Sequence, residues 1–536
     1  MNPTISVCMI VKNEQDMLPR CLRSIVDWVD QIIIVDTGSS DNSVEIAKSF
    51  GALVYHHKWE ADFSKHQNQS IDYASSDWIL QLDADEELEE GSGPIIRKII
   101  KNTGVDAYFV NIISYFNNRT SYSRESKIRI FRNKPWIRFK NVVHKQLYGF
   151  KKAAHSKVTI KHYGYDLTPE KMAQKFQRTS SLLRKQIKDE PNNYWHRHNL
   201  AVCLASNFRF QEAIEQGLKA LDLAKKQKLS NPNVAWTYYI VSASYLKLSQ
   251  YSKAKEMALE ALNLWPNHLD SHFVLVILYH KQRLWQKLGY HIKEFFRISQ
   301  DIKISPELFA GAVLNTPGEI WRVWIAYGDL LLASQDDTAA HKAFESAISL
   351  APSQSECRQL IARCYQKRSM WEEAISIYEQ DTCQKSSPSV LAGLALCYKK
   401  LGNKERALFF YKKLLEVDPL SIEGMVNLGD ILYEQGRFDE ALKYFDRVLD
   451  QKPVMVQCAL KASRICAQYQ KLNRVSSYAE LITKALSMNL NVQQTKPETL
   501  ANIYLIIGHE FDKLGREDLF KSAIETALIL HPNLLS

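Results

Sequence analysis

The chain lacks any apolar run long enough to cross a membrane. A transmembrane helix needs about 20 consecutive apolar residues, and the 536-residue sequence has no uninterrupted stretch that approaches this length. The segment 1–3 leads directly into an apolar run of strand length, so we expect no signal peptide either. The sequence therefore predicts a cytoplasmic protein without a transmembrane segment.

Cysteine is scarce and scattered. The nine cysteines form no Cys-x-x-Cys pair and no zinc-like spacing; Cys357 and Cys364, for example, stand seven positions apart on helical ground. Such a distribution excludes a disulfide framework of the kind that secreted proteins use. We expect buried free thiols in a reducing compartment.

Acidic residues are almost absent from one segment. Residues 1–118 contain nine Lys or Arg against eighteen Asp or Glu, whereas residues 119–161 contain thirteen Lys or Arg and a single acid, Glu125. No RNA-binding or DNA-binding module accompanies these cations, so nucleic acid is not an expected partner. Either the basic run is a solvated face, or one of its cations approaches a phosphate-bearing or acidic partner. The candidates are Arg124, Lys127, Arg129 and Arg132.

What is present in the first third is an alternation of strand and helix patterns. Continuously apolar runs of strand length occur at 5–11, 31–35, 52–55 and 78–80, and helical patterns follow the first two of them. Strands that are apolar on both faces are typical of a parallel sheet covered on both sides. The sequence therefore predicts an α/β domain.

Carboxylates follow two of these strands. Asp36 ends the second apolar run, and Asp83 and Asp85 come just after the fourth. Open α/β sheets bind ligands at the carboxyl ends of their strands, where Asp36 could accept hydrogen bonds from a base or a ribose. The oxygens of Asp83 and Asp85 suit a Mg²⁺ or Mn²⁺ ion that carries a diphosphate. Alone, such an acidic turn is more often simply solvated.

Three segments in this order resemble the glycosyltransferases of family 2, which have the GT-A fold. They are residues 5–14, 34–41 and 82–86. Later segments resemble landmarks of the subgroup that carries helical repeats, to which the glycosyltransferases of sublancin-like bacteriocin peptides belong. These are residues 59–68, 129–133, 142–144 and 162–165. The resemblance is close over the first third of the chain and extends to the rest in architecture only.

The resemblance implies a Rossmann-like nucleotide-sugar domain and an inverting, metal-dependent transfer, with UDP as the expected donor nucleotide. Asp85 would be the principal ligand of Mg²⁺ or Mn²⁺, Asp83 would share the metal or bind the ribose, and Asp36 would fix the base. The implied nucleotide-sugar-binding residues are Val11, Asn13, Glu14, Asp36, Ser39, Lys65, Asp83 and Ala84. The implied metal ligands are Asp85, Asp83 and His144.

An inverting transfer needs a base near the acceptor nucleophile, and the catalytic candidates are Glu125 and His144. The surrounding cations favour the charged form of Glu125 and weaken its basicity. His144 is a base, a metal ligand or a core histidine. His162 carries a similar ambiguity, and a structural role is favoured for it.

Two positions depart from the pattern of the resembling family. Gln67 stands where that family usually has Arg, and Lys145 stands where it tends to have Glu after the Val-His pair. If the missing Arg helps to neutralise the donor diphosphate, Lys65 or His66 would take its role, or the donor would bind more weakly. No catalytic base is carried over to position 145.

The rest of the chain repeats with a period of 34 residues. Small residues, an aromatic residue and a closing proline recur at fixed positions, as in tetratricopeptide repeats. The clearest copies are Ala395, Ala407, Tyr411 and Pro419, followed by Gly429, Ala441, Phe445 and Pro453. About eight helix pairs fit after Tyr194, with a degenerate interval near 269–315, and we expect no strand beyond about residue 200.

These patterns predict a GT-A domain over residues 1–165, a helical connector over 166–192 and a tetratricopeptide-like domain over 193–536. The predicted function is transfer of a sugar from a nucleotide sugar to a Ser, Thr or Cys side chain of a peptide or protein held by the repeats. The alternatives are a glycolipid or polysaccharide acceptor, or a catalytically silent repeat scaffold. Self-association of the repeats into a homodimer stays open, and the sequence does not reveal the sugar.

Overall fold

The computed structural model describes most of the chain. The described residues are 2–116, 119, 121–142, 145–165, 167–305, 309, 313–381, 387–488, 490, 492, 496–532 and 534. They form two compact units, residues 1–354 and 355–536, and each is described by itself. None of the described helices is long and apolar enough to span a bilayer.

The N-terminal part of the first unit is built on a nine-stranded mixed sheet. Its strands are β1 (Ile5–Val11), β2 (Gln31–Asp36), β3 (Leu53–His56), β4 (Trp78–Gln81), β5 (Glu86–Leu88), β6 (Ala107–Phe116), β7 (Ser121–Arg132) and β10 (Ala153–His162), with β11 described below. They lie in the order β3-β2-β1-β4-β7-β6-β10-β5, and β1 to β4 are parallel. Two short strands, β8 (Arg138–Lys140) and β9 (Gln146–Tyr148), pair separately. The prediction of an α/β domain is confirmed.

Helices cover this sheet, which explains the continuously apolar strands. They are α1 (Leu18–Ile25), α2 (Ser43–Ser49), α3 (Phe63–Asp72) and α4 (Ser92–Ile99). Adjacent residues of β1 point to opposite faces: Met9 packs in the cluster that contains Leu22, and Cys8 packs in the cluster of Ile79 and Phe131. Both faces of the central strands are therefore buried, as the prediction required.

One edge of β7 is shared by two different strands. β4 pairs with β7 as far as Ile130, and a two-residue strand, β11 (Val313–Leu314), pairs antiparallel with Arg124 and Glu125. The expectation of no strand beyond residue 200 is therefore wrong. The physical reason lies in Asp270, whose buried carboxylate accepts hydrogen bonds from the backbone and side chains of Asn315 and Thr316 at 2.6–2.9 Å and so anchors the segment beside β7.

Helices make up the rest of the first unit. They are α5 (Pro169–Asp189), α6 (Tyr194–Ala205), α7 (Phe210–Lys226), α8 (Pro232–Lys247), α9 (Tyr251–Leu264), α10 (Leu269–Gln282), α11 (Trp285–Ile304), α12 (Ile320–Ala333) and α13 (Asp337–Leu350). Consecutive helices pack as pairs, and a small residue permits the close approach. A Cβ atom on Gly328 of α12 would lie 2.4 Å from the ring of Phe344 in α13.

The second unit repeats the same arrangement. Its helices are α14 (Gln354–Gln366), α15 (Trp371–Glu379), α16 (Pro388–Lys400), α17 (Lys404–Val417), α18 (Ile422–Glu434), α19 (Phe438–Gln451), α20 (Val456–Gln468), α21 (Leu472–Ala485), α22 (Pro497–Lys513) and α23 (Glu517–Leu530). A Cβ atom on Gly429 would lie 2.7 Å from the ring of Phe445, so the glycine predicted as core packing has that role. The prediction of a tetratricopeptide-type solenoid is confirmed. The bounds of the three predicted domains stay predictions.

Candidate active site

Asp36 organises the loop after β2. Its carboxylate accepts backbone N–H bonds from Gly38 and Ser39, each at 3.1 Å, and lies 3.2 Å from Nδ1 of His56. Burial raises the pKa of Asp36, but these hydrogen bonds outweigh it and hold the pKa below its ordinary value. The carboxylate is therefore charged at neutral pH and fixed at the carboxyl edge of the sheet.

The loops after β1 and β2 are joined by hydrogen bonds. Asn13 adopts a left-handed backbone with φ 56°, and its N–H donates to Oγ of Ser39 at 3.0 Å. Its Oδ1 accepts the N–H of Ser40 at 2.8 Å, and the carbonyl of buried Val11 accepts the N–H of Thr37 at 3.0 Å. The structure thus brings four predicted donor-binding residues together: Val11, Asn13, Asp36 and Ser39.

Glu14 follows in the same loop, where its N–H donates to Oγ of Ser43 at 2.8 Å. Burial and the charge of Asp85 raise the pKa of the Glu14 carboxyl to about 7, although Lys175 opposes the shift. At neutral pH this side chain can therefore either donate or accept a hydrogen bond. That is suitable for a group in a nucleoside pocket.

Asp83 is surrounded by cations and amides. Its Oδ1 accepts from Nε2 of Gln81 at 2.9 Å and from Nζ of Lys145 at 3.2 Å, while Oδ2 lies 3.5 Å from Nη1 of Arg129. Burial raises the pKa of Asp83, but Lys145 and Arg129 hold it well below its usual range. The next residue, Ala84, is buried. Asp83 is therefore ionised. More than a third of its side chain is exposed.

Asp85 faces a histidine and a lysine. Its Oδ2 lies 3.4 Å from Nε2 of His162 and 3.8 Å from Nζ of Lys175. Burial raises the pKa of Asp85, but His162 and Lys175 outweigh it and keep the carboxyl ionised. Nδ1 of His162 lies 3.0 Å from the Ser114 hydroxyl, which directs Nε2 towards Asp85.

Asp83 and Asp85 offer oxygen ligands of the kind that a hard divalent cation binds. Carboxylate oxygens of Asp83 and Asp85 are ligands that Mg²⁺ and Mn²⁺ accept, and an imidazole nitrogen from His162 is compatible with Mn²⁺. The Ser114 hydroxyl on the other ring nitrogen would fix the tautomer, as partners of metal-binding histidines commonly do. His144, the histidine predicted for this role, lies outside the described residues.

Arg129 binds the acidic segment from the interior of the protein. It lies where the register of β7 against β6 shifts, between Ile128 and Ile130, so a β-bulge directs its side chain. Its guanidinium is buried, bonds to Glu86 at 2.6 Å and also bonds to Gln81. Because these donors are already used within the protein, Arg129 positions the acidic segment rather than reaching outward.

The other cations of the basic run lie in different surroundings. Lys127 pairs with Glu125 at 2.8 Å. Arg132 lies over the ring of Trp78 and donates to two backbone carbonyls. Arg124 lies over the ring of Tyr122. The four candidate cations of the basic run therefore lie in separate surroundings and do not form one surface.

The two departures from the family pattern are in direct contact. Nζ of Lys145 donates to Oε1 of Gln67 at 2.8 Å. The predicted substitutes are engaged elsewhere: Lys65 pairs with Glu60 at 2.7 Å, and Nε2 of His66 accepts the N–H of Glu60 at 3.1 Å. The cation beside Gln67 is thus Lys145, and the predicted donor-binding role of Lys65 has no contact in the described part of the chain that supports it.

Glu125, the other predicted catalytic residue, is largely buried and lies between β6 and β11. Burial raises its pKa, but the Lys127 ammonium holds it below its ordinary value. Glu125 is therefore charged and can accept a proton, as a weak base. This agrees with the expected effect of its cationic neighbours.

Sequence reasoning missed Lys175 and left Lys145 without a role. Lys145 meets Asp83 across 62 positions and Lys175 meets Asp85 across 90, so neither contact belongs to a local motif. The only sequence signal was the helical spacing of Lys171, Lys175 and Arg178, which puts three cations on one face of α5.

Known protein families match both parts of the chain. Residues 6–161 match the model of glycosyl transferase family 2. Residues 190–267, 357–387 and 392–455 match models of the tetratricopeptide repeat. The mixed sheet agrees with the match to family 2, and the resemblance found in the sequence is confirmed. The chain contains a glycosyltransferase family 2 domain followed by tetratricopeptide repeats.

Three similar proteins illustrate the relationship. A TPR repeat-containing protein of Synechococcus elongatus is 34% identical over 229 residues, which cover 40% of this chain and 56% of that protein. The SPbeta prophage-derived glycosyltransferase SunS of Bacillus subtilis is 29% identical over 203 residues, which cover 36% and 47%. An uncharacterized glycosyltransferase of Rickettsia typhi is 32% identical over 127 residues, covering 24% and 42%. The chain spans about half the length of these relatives.

Proposed function

We propose that the chain is an inverting, metal-dependent glycosyltransferase that moves a sugar from a nucleotide sugar, with UDP as the nucleotide, to a peptide or protein. The observation that carries the proposal is the set Asp36, Asp83 and Asp85, which follows two parallel strands of a family 2 domain at the carboxyl edge of the sheet. A silent scaffold would have no need to hold two ionised carboxylates in a partly open cleft.

The residues divide the work on the donor. Asp36, Asn13 and Glu14 would bind the nucleoside, and Asp83 and Asp85, with His162 beside Asp85, would hold the cation. A bound Mg²⁺ or Mn²⁺ would act as a Lewis acid on the departing nucleoside diphosphate. The acceptor oxygen or sulfur forms a bond to the anomeric carbon while the bond from that carbon to the diphosphate breaks. The proton of the nucleophile passes to a base, for which Glu125 and His144 are the candidates.

The first test measures sugar-donor use. The full-length protein is incubated with a panel of nucleotide sugars and Mn²⁺, and the release of free nucleoside diphosphate is followed. We expect slow hydrolysis of one donor, lost in excess EDTA. Full activity in EDTA would contradict the metal assignment, and no release with any donor or acceptor would favour the silent scaffold.

The second test addresses the acceptor. The tetratricopeptide matches support a peptide or protein held by the repeats. Because β11 comes from the helical part and pairs with β7, truncation before residue 313 would remove a strand, so the full chain is used. Peptides with one Ser, Thr or Cys are compared with lipid vesicles and oligosaccharides, and mass spectrometry detects sugar addition. Modification of vesicle lipids or oligosaccharides alone would support the alternative acceptor class.

A further inference from the structure

Helix α5 presents a basic face to the donor site. Lys171 lies 3.0 Å from Asp16, in the loop after β1. Nζ of Lys175 donates to the carbonyl of Gly164 at 2.9 Å and lies 3.8 Å from Oδ2 of Asp85. These residues are four positions apart and therefore share one side of the helix. Polar contacts thus draw the start of α5 onto the acidic cleft.

Few residues of α5 are fully buried. Among its 21 residues, only Ser180 and Leu183 are buried, and both lie in the second half. An amphipathic helix normally binds its neighbours through an apolar stripe. The first half of α5 packs Phe176 against the cluster of Leu183 and Leu200, and polar contacts to Asp16, Gly164 and Asp85 hold its basic face.

Lys145 approaches the same cleft through the other carboxylate. Its Nζ bonds to Oδ1 of Asp83 at 3.2 Å and to Gln67 at 2.8 Å, and its side chain is largely buried. Each acid of the pair therefore has one lysine beside it: Lys145 at Asp83 and Lys175 at Asp85.

A divalent cation on Asp83 and Asp85 would compete with both ammonium groups for the same oxygens. An ammonium group has three donors and no acceptor, so once displaced it needs another anion nearby. The donor diphosphate would bind together with the cation and would supply the negative charge that the displaced ammonium group needs. Lysine is a common phosphate ligand that acts as a compact point charge.

We propose that Lys145 and Lys175 bind the diphosphate of the sugar donor, and that each exchanges its carboxylate for a phosphate oxygen when a divalent cation binds Asp83 and Asp85. This inference rests on the proposed function, since it requires a nucleotide-sugar donor. The cations that would stabilise the leaving diphosphate are thus Lys175, on helix α5 outside the strand-and-loop motif, and Lys145, which contacts Gln67.

The alternative is that the lysines only neutralise the acids. Removal of either lysine would then relieve competition for the cation but leave nucleoside diphosphate affinity at saturating cation unchanged. If the lysines exchange partners, removing one should raise the affinity for the cation and lower the affinity for the diphosphate. Two separate binding measurements therefore distinguish the two roles.

The experiment uses the full-length chain and the variants Lys145→Met, Lys175→Met and Lys145→Arg. Lys461→Met is the matched control, because Lys461 likewise pairs with a largely buried carboxylate, that of Asp430 in the second unit. Mn²⁺ affinity without nucleotide is measured by electron paramagnetic resonance, and UDP affinity at saturating Mn²⁺ by calorimetry. In each Met variant we expect Mn²⁺ to bind about fivefold tighter, because a nearby like charge is gone. We expect UDP to bind about tenfold more weakly, because a charge-assisted hydrogen bond is lost.

The controls keep the outcomes distinct. Lys461→Met should match the wild type in both measurements, and Lys145→Arg should retain most of the UDP affinity. Unchanged UDP affinity in both Met variants, with a wild type that binds UDP, would overturn the inference and leave the proposed function intact. Weaker binding of both Mn²⁺ and UDP together with a lower melting temperature would also overturn it. A wild type that binds Mn²⁺ but none of UDP, GDP or ADP would overturn the proposed function and the inference with it.

Discussion

The two compact units differ most in what they bury. Residues 1–354 bury charged and polar side chains, and those near the sheet include His66, Gln67, Glu86 and Arg129. The repeats of the same unit bury His268, Asp270, His272 and His291. In the described part of 355–536, the buried polar side chains are the hydroxyls of Ser463, Thr483 and Thr526. Because burial of a polar group is costly unless it is hydrogen-bonded, the polar interior of the first unit marks where specific geometry is needed.

The difference separates two uses of the same repeat. In the second unit the interior mainly brings helices together, through small residues opposite aromatic rings, as at Gly429 and Phe445. In the first unit, α10 also carries Asp270, which holds the segment that adds β11 to the sheet. Changes in the interior of the second unit should therefore cost stability without changing donor binding, and changes at the polar sites of the first unit should cost function or local structure.

The largest expected effect is on stability in the second unit. Phe445→Ala removes a fully buried ring that packs on Gly429 and should cost about 3–5 kcal/mol of unfolding free energy, since the cavity cannot fully collapse. Urea denaturation followed by circular dichroism measures the loss. Phe409→Ala is the control, because Phe409 is half exposed. A parallel loss of UDP affinity in Phe445→Ala would break the proposed separation of roles.

Asp85→Asn tests the first unit. The amide keeps the shape but removes the charge that holds a cation, so we expect at least about a hundredfold slower diphosphate release, comparable to the loss of one strong electrostatic stabiliser. Asp430→Asn, in the second unit, is a matched control. Asp430 is as buried as Asp85, with 20% of its side chain exposed against 19%, and it also faces lysines. Asp83→Asn should impair donor affinity at least as much as turnover. Equal rates for Asp85→Asn and wild type would reject the assignment.

Asp270→Ala should act locally on β11. Asn315 and Thr316 would lose the acceptor of their backbone and side-chain donors, at a cost of about 1–3 kcal/mol. Hydrogen exchange read by mass spectrometry should show faster exchange in peptides that cover residues 313–319. Asp270→Asn keeps one acceptor oxygen and should show a smaller change. Unaltered exchange in Asp270→Ala would mean that β11 is held by other contacts.

These residues show how far sequence reasoning extends. The location of Asp36, Asp83 and Asp85 at strand ends was predictable because strand period and strand ends are local patterns. The repeats near Gly429 were predictable because their packing reduces to one small residue opposite one ring. The contacts of Lys145 and Lys175 were not, since they join positions far apart in the chain. β11 was not predictable because it has two residues and depends on Asp270, in an interval where the repeat pattern is degenerate.

The smallest expected effect is a loss of stability in acid, which should be larger in the first unit than in the second. His268 caps α10 with Nδ1, which accepts the N–H of Ser271 at 3.2 Å. Burial, then His272, lowers the pKa of His268 to about 3, and burial likewise lowers that of His291 to about 4. Both values lie below about 6.5, the value for an unfolded chain. The unfolded chain therefore binds more protons as the pH falls below about 6.5, and stability falls with it.

At pH 5, about 1.5 pH units below the pKa of an unfolded histidine, protonation linked to His268 alone should lower the unfolding free energy by about 2 kcal/mol. His268→Asn keeps a good capping residue and cannot titrate, so its stability should fall less between pH 7 and pH 5. Urea unfolding followed by tryptophan fluorescence is suitable, because Trp371 is the single tryptophan after residue 354 and the signal reports the first unit. The second unit has His509 and His531, neither of which is buried, so its stability should change less with acid. Equal acid sensitivity of wild type and His268→Asn would show that this cap is not the source of the difference.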